Sequence, residues 1–216
     1  MANKIGVLVS GGGTNLQSII DQIHLSPFDA SINCVISNRP DAYALQRAQQ
    51  AAIPHHVVKH GDYTQRVDFE TALISVFEQY QVDLVCLAGF MRVLEPGFIT
   101  HYEGRILNIH PSLLPHFRGL HTHQRALDQQ HTQHGCSVHF ATAELDGGPL
   151  VLQAHETILK NDTAESLAAR VLVKEHIIYP MCIKWLCEGT IFCKNEIAYH
   201  AGKPLKQPLR LDEISA

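Results

Sequence analysis

Apolar and polar positions follow two rhythms that take turns along the first half of the chain. Short apolar runs read as strands at Lys4–Val9, Ser31–Ile36, His55–Val58, Val82–Ala88 and Arg105–Asn108. Between them the apolar residues recur at helical spacing. Thr14–Ile23 sets Leu16, Ile19, Ile20 and Ile23 on one face, and Asp41–Ala51 does the same with Ala44, Leu45 and Ala48. Asp62 suits the N-cap of a helix reaching about Tyr80, and Glu95-Pro96 opens a short helix with proline in its first position. Val82–Ala88 is almost wholly apolar, as in a central strand covered on both faces. The alternation predicts an α/β, Rossmann-like fold: a mostly parallel twisted sheet with helices on both faces.

After Pro115 the rhythm changes. A short helix near Thr122–Gln130 precedes two strands, Ser137–Ala141 and Val151–His155, with Asp146-Gly147-Gly148-Pro149 between them. These strands are expected to form an antiparallel C-terminal extension of the sheet. A long helix begins at Asp162-Thr163-Ala164-Glu165, which has the order of a capping box, and Pro180 should kink or end it. Short strands near Ile191 and Ile197 and a polar tail follow. No repeat or low-complexity linker appears. The expectation is a single domain over 1–216, with halves of about 1–110 and 111–216 meeting at the seam Pro111–Pro115.

Composition narrows the function classes. Hydrophobic residues make up 45% of the 216 and charged residues 18%, as in an ordinary globular protein. A net charge of −4 argues against a broad nucleic-acid footprint. No apolar run approaches a membrane span, and Met1-Ala2-Asn3-Lys4 runs directly into a strand rather than a signal-peptide core. Six scattered cysteines without a Cys-x-x-Cys pair read as reduced thiols of a cytoplasmic protein. The 15 histidines are spread out and form no His-Glu-x-x-His pattern. His121 and His123 suggest metal only weakly, so no metal is expected.

Two segments carry candidate chemistry. In Ser10-Gly11-Gly12-Gly13-Thr14-Asn15-Leu16, glycines between a strand and a helix let backbone N–H groups approach an anion at the helix start. It is no Walker loop, since no Gly-Lys-Ser/Thr follows, and Leu16 stands where a dinucleotide fingerprint needs its third glycine. The alternative is a tight turn with no ligand. In Asn108-Ile109-His110-Pro111-Ser112-Leu113-Leu114-Pro115, at the carboxyl end of a strand, Asn108 and His110 offer donors to a developing oxyanion. Asp146 could hold the imidazole charged. Ser112 lacks a nucleophile-elbow context, so the substrate would supply the nucleophile. Spacing alone also suits a capping Asn108, a structural His110 and an ordinary Asp-Gly turn, and on its own favours that plainer account. Leu87-Ala88-Gly89-Phe90-Met91-Arg92-Val93-Leu94 could line a slot for a flat ring or simply pack the core.

At these residues the chain resembles the folate-dependent phosphoribosylglycinamide formyltransferases. The matching stretches are Val9–Gln17, Leu87–Arg92, Leu107–Pro115, Gly119–His123 and Glu144–Pro149, in the family's order, over roughly residues 4–190. The Asn108–Pro115 run marks the wider formyltransferase group. The glycine loop with Thr14-Asn15 and Gly119-Leu120-His121-Thr122-His123 narrow it further.

The resemblance implies that Asn108, His110 and Asp146 are catalytic. It places the ribonucleotide phosphate at Gly11, Gly12, Gly13, Thr14 and Asn15, with Glu175 near the acceptor amine. The folate would lie against Arg66, Met91, Arg92, Val93, Leu94 and Asn108, under a loop of Thr142, Ala143, Glu144, Leu145 and Asp146. The 1–110 half would then hold the nucleotide and the 111–216 half the folate loop. The implied reaction carries the formyl group of 10-formyltetrahydrofolate to the amine of 5'-phosphoribosylglycinamide in purine synthesis, with small-molecule partners only. Gly12 and His116-Phe117-Arg118 depart from the commoner family residues. A methionyl-tRNA formyltransferase would call for a further C-terminal domain and a basic surface, and a formyltetrahydrofolate hydrolase for an N-terminal regulatory domain. A non-catalytic nucleotide binder would have no use for the Asn/His/Asp set.

Overall fold

A computed structural model describes residues 3–25 and 28–214. Met1 and Ala2 of the N-terminal stretch, and Ser215 and Ala216 of the polar tail, lie outside the described residues. The chain forms two compact units divided after Leu107.

In the first unit, β1 (Asn3–Val9), β2 (Ala30–Ser37), β3 (His55–Val57) and β4 (Leu84–Leu87) are parallel, in the order β3-β2-β1-β4. Helices α1 (Thr14–Leu25), α2 (Tyr43–Gln50), α3 (Arg66–Gln79) and α4 (Pro96–His101) alternate with them. The apolar runs become strands because they are covered: Ile5, Val7, Leu8 and Val9 of β1 and all four residues of β4 are buried. Leu16, Ile19 and Ile20 supply the inward face of α1. The expected cap at Asp62 is not formed. His60–Asp62 is a single 3-10 turn, with the Asp62 N–H on the Lys59 carbonyl at 3.1 Å, and α3 starts later, behind Gln65. A local turn claims the backbone that a cap would have used.

Strand β5 (Ile106–His110) straddles the division. The second unit continues with α5 (Thr122–Asp128), β6 (Gln133–Phe140), β7 (Leu150–Thr157), α6 (Ala164–Cys187), β8 (Ile191–Lys194), β9 (Ile197–His200), β10 (Lys203–Pro204), β11 (Leu209–Arg210) and α7 (Leu211–Ile214). Its sheet strands run β5-β6-β7-β11, with β6 antiparallel to β7 as expected and β11 parallel to β7. The fold is thus Rossmann-like α/β with a mixed, mostly parallel set of eight strands. Strands β8, β9 and β10 form a separate small antiparallel sheet.

Helix α6 begins at an N-cap Thr163 whose capping box partner is Ser166, while Asp162 turns to Arg170 instead. Pro180 does not end α6. A proline removes one helical hydrogen bond. Here packing outweighs that loss: Leu167, Val171, Ile178, Tyr179, Cys182 and Ile183 are buried on both sides of it.

Candidate active site

The second unit gathers Asn108, His110 and Asp146 from segments far apart in the chain. Asn108 and His110 are two apart on β5 and so share a face. His110 is buried, with Nδ1 3.4 Å from Asp146 Oδ2. Its Nε2 donates to the Phe117 carbonyl at 2.9 Å. Two acceptors therefore flank the ring, one at each nitrogen. The Asp146 side chain is only 9% exposed, and its Oδ2 also accepts the Gly119 N–H at 2.8 Å. Asp146 sits at φ 49°, a left-handed conformation uncommon for any residue but glycine, asparagine or aspartate.

A residue that sequence reading passed over completes the group. His139, on β6, is buried, and burial pushes its pKa down to about 4, against the opposing pull of the Phe140 carbonyl and Asp146. It is therefore neutral near pH 7. Its Nδ1–H donates to the Phe140 carbonyl at 2.9 Å, so Nε2 is left as the acceptor. The Asn108 amide donates to that Nε2 at 3.0 Å. His139 thereby fixes which way the Asn108 amide points and leaves its second N–H for another acceptor. The strand register shifts between Val138 and His139, a local irregularity of the kind that re-aims a side chain. The available sequence signal was polar Ser137 and His139 alternating within an otherwise apolar stretch. Ser112, by contrast, is fully buried and donates its hydroxyl to the His116 carbonyl at 2.6 Å.

Around Asp146, Glu144 is ion-paired with Arg118, and Thr142 donates to the Glu144 carbonyl at 3.4 Å. Ala143 is exposed and Leu145 is half-exposed. Glu175 is buried on α6, near enough to Cys136 for its charge to add to the burial that raises that thiol's pKa.

The first unit carries the glycine loop and the Met91 segment. Gly13 has φ 69°, and a Cβ there would lie 2.6 Å from the Cβ of Ala44. Gly11 and Gly12 have open space where a Cβ would be. The loop is braced from α2: the Ala44 N–H donates to the Gly11 carbonyl at 3.0 Å and Arg47 Nε to that of Gly12 at 2.8 Å. A cleft of about 240 Å³ opens beside it, lined by Gly11, Gly12, Arg39 and Tyr43 among others. Thr14 starts α1 and Asn15 is buried in its first turn.

Ser10 joins this loop to the next. Its hydroxyl donates to Asn38 at 2.6 Å and accepts the Met91 N–H at 2.8 Å. Met91, Arg92 and Val93 are exposed, whereas Leu94 is buried and supports the segment from beneath. Arg66 pairs with Glu95 at 2.9 Å, at the end of that segment.

Among the described residues no group of three or more His, Cys, Asp or Glu is placed to hold a metal ion. No helix among them is long and apolar enough to cross a membrane.

A strand-end Asn/His/Asp group on a Rossmann-like frame is an arrangement suited to group transfer. The sequence profile of the formyl transferase family matches residues 3–183, and the chain belongs to that family. Among its relatives are the phosphoribosylglycinamide formyltransferases of Escherichia coli (45% identical over 202 residues) and Haemophilus influenzae (46% over 202), each match covering 94% of this chain and 95% of the relative. The human trifunctional purine biosynthetic protein adenosine-3 is 41% identical over 188 residues, which span 87% of this chain and 19% of that protein. The solved phosphoribosylglycinamide formyltransferase of Coxiella burnetii superposes with a TM-score of 0.92 at 47% identity, covering 97% of this chain and all of that one.

Proposed function

We propose that the protein transfers the formyl group of 10-formyltetrahydrofolate to the amine of 5'-phosphoribosylglycinamide, in de novo purine biosynthesis, at Asn108, His110 and Asp146. The observation that carries this reading is the buried contact of His110 with Asp146, beside an Asn108 amide already oriented by His139.

The chemistry follows from those groups. The glycinamide nitrogen attacks the formyl carbon, a C–N bond forms, and the carbonyl electron pair moves onto oxygen. The free N–H of Asn108 and the positive charge of a doubly protonated His110 stabilise that oxyanion. Collapse of the intermediate breaks the bond to folate N10, which takes the electron pair. N10 also takes a proton, equivalent to the one the amine nitrogen loses. Asp146 is the carboxylate placed to relay it, with a water. His110–Asp146 at 3.4 Å is longer than a good hydrogen bond and tightens when both substrates exclude solvent. Much of the rate comes from holding two reactants together.

The glycine loop and the start of α1 suit the ribonucleotide phosphate: Gly11, Gly12, Gly13, Thr14 and Asn15 offer close backbone approach at a positive helix end. In the first unit Met91 and Val93 offer exposed apolar surface suited to the folate ring, with Arg92 beside them and Arg66, paired with Glu95, as a further folate contact. Glu175 is assigned to the acceptor-amine side. The six scattered cysteines, with no Cys-x-x-Cys pair, support a cytoplasmic setting.

A turnover assay with both substrates tests the reading. Formyl transfer that requires the ribonucleotide acceptor supports it. Release of formate at the same rate without acceptor would replace transfer by hydrolysis.

A further inference from the structure

We propose that Arg125 is a positioning residue for formyl transfer: its guanidinium clamps the Phe117–His121 loop, and that loop fixes His110 and Asp146 relative to each other. The proposal rests on the assignment of His110 and Asp146 as the reacting pair.

The loop touches both. Its Phe117 carbonyl accepts His110 Nε2–H at 2.9 Å, and its Gly119 N–H donates to Asp146 Oδ2 at 2.8 Å. Two residues apart in sequence, these groups set where the imidazole and the carboxylate stand. A third bond, the Arg118–Glu144 ion pair, ties the same loop to the segment that carries Asp146.

The loop backbone does not hold this shape by preference. Phe117, Gly119 and His121 have φ of 56°, 79° and 57°. Three left-handed residues in five, two of them not glycine, persist only where the surroundings impose them. Arg125 imposes them. It lies midway along α5, anchored by its own N–H on the His121 carbonyl at 3.0 Å. Its Nη1 donates to the Arg118 carbonyl at 2.7 Å and reaches the Leu120 carbonyl at 3.3 Å. Its guanidinium lies over the Phe117 ring, 5.4 Å from the centroid. One planar group thus binds the loop at residues 117, 118 and 120. A lysine can replace the charge but not the fork and the stacking together.

The test is steady-state formyl transfer by the full chain carrying Arg125→Met or Arg125→Lys. Misplacement of a reacting group by about an ångström costs on the order of a hundredfold. We expect kcat to fall about ten- to a hundredfold in Arg125→Met, with KM for both substrates within about twofold, and a smaller fall in Arg125→Lys. In the His110→Ala background Arg125→Met should add almost no further loss, because the loop then has no His110–Asp146 pair to hold in register. Unchanged kcat, a rise in KM alone, or full additivity with His110→Ala would each overturn the proposal. If Arg125→Met melts below the assay temperature, Arg125→Lys is read by the same criteria. The two claims fail separately: full activity in His110→Ala overturns the catalytic assignment, whereas an inactive His110→Ala beside a fully active Arg125→Met overturns only the clamp.

Discussion

The glycine loop and the His110 pocket are two ways of building a binding surface. The loop is made of backbone. Its polar groups come from consecutive residues, its shape from Gly13 at φ 69°, and its support from two bonds to α2. The pocket is made of side chains. Asn108 and His110 come from β5, His139 from β6 and Asp146 from the turn before β7, each held by a hydrogen bond to another part of the fold. A backbone anion cradle tolerates water and asks only for close approach. Oxyanion stabilisation and proton relay need donors aimed to within fractions of an ångström in a dry site. The difference in construction matches the different tasks proposed for them.

The sharpest way to break the comparison is Asp146→Asn, which keeps shape and removes charge. Rates should fall on the order of a hundred- to a thousandfold, as when a charge-stabilising group is lost from such a site, with ribonucleotide affinity measured by calorimetry nearly unchanged. A matching loss of affinity would mean that Asp146 binds rather than reacts.

Next in size is His139→Leu. Without its acceptor the Asn108 amide is free to turn, and kcat should drop about ten- to a hundredfold while KM holds. Single-turnover rates near wild type would show that Asn108 needs no such partner.

On the loop, the two glycine types separate. A side chain at Gly13 meets Ala44 and a left-handed backbone, so Gly13→Val should lower Tm as well as ribonucleotide binding. Gly12 faces open space, so Gly12→Val should keep Tm within a few degrees and weaken ribonucleotide binding about tenfold without weakening folate binding. The contact with Ala44 makes Gly13→Val a probe of folding as well as of binding. Weakened folate binding in Gly12→Val would remove the loop from the phosphate site.

The smallest effect concerns pH. Burial holds His134 and His139 at about 4 in the folded chain, against an ordinary value of 6.5. Between those values the unfolded chain binds protons that the native chain does not. Stability from these two groups therefore falls as pH drops from 6.5 to about 4, and the loss is complete below that. Asp162, held well below its ordinary 3.8 chiefly by Arg170, adds a loss only in stronger acid. Melting curves from pH 7 to 4.5 should show Tm falling, and His134→Phe should flatten the slope. A Tm independent of pH over that range would contradict the burial of these rings as neutral groups.

Most of the parallel frame was legible because it is written locally, in apolar runs and helical spacing. The glycine loop was legible for the same reason: its residues are neighbours. The Asn108, His110 and Asp146 grouping was not. Spacing alone favoured a plain turn, and the resemblance supplied the link. His139 was missed because its contact with Asn108 depends on strand register, which one sequence does not display. The Asp62 cap failed where a local propensity met a stronger constraint, a 3-10 turn, and of the two outcomes expected at Pro180 a helix end is excluded by the continuous α6. Strands β10 and β11 are two residues each, too short for any periodicity to announce them within the polar tail.

The central claim is that His110 acts on charge that appears only during formyl transfer. Its most direct test is His110→Ala, with turnover and equilibrium ribonucleotide binding measured on the same preparation. The account predicts turnover reduced on the order of a hundredfold or more with affinity within about twofold of wild type. Near-full turnover, or a loss of affinity as large as the loss of rate, would contradict it.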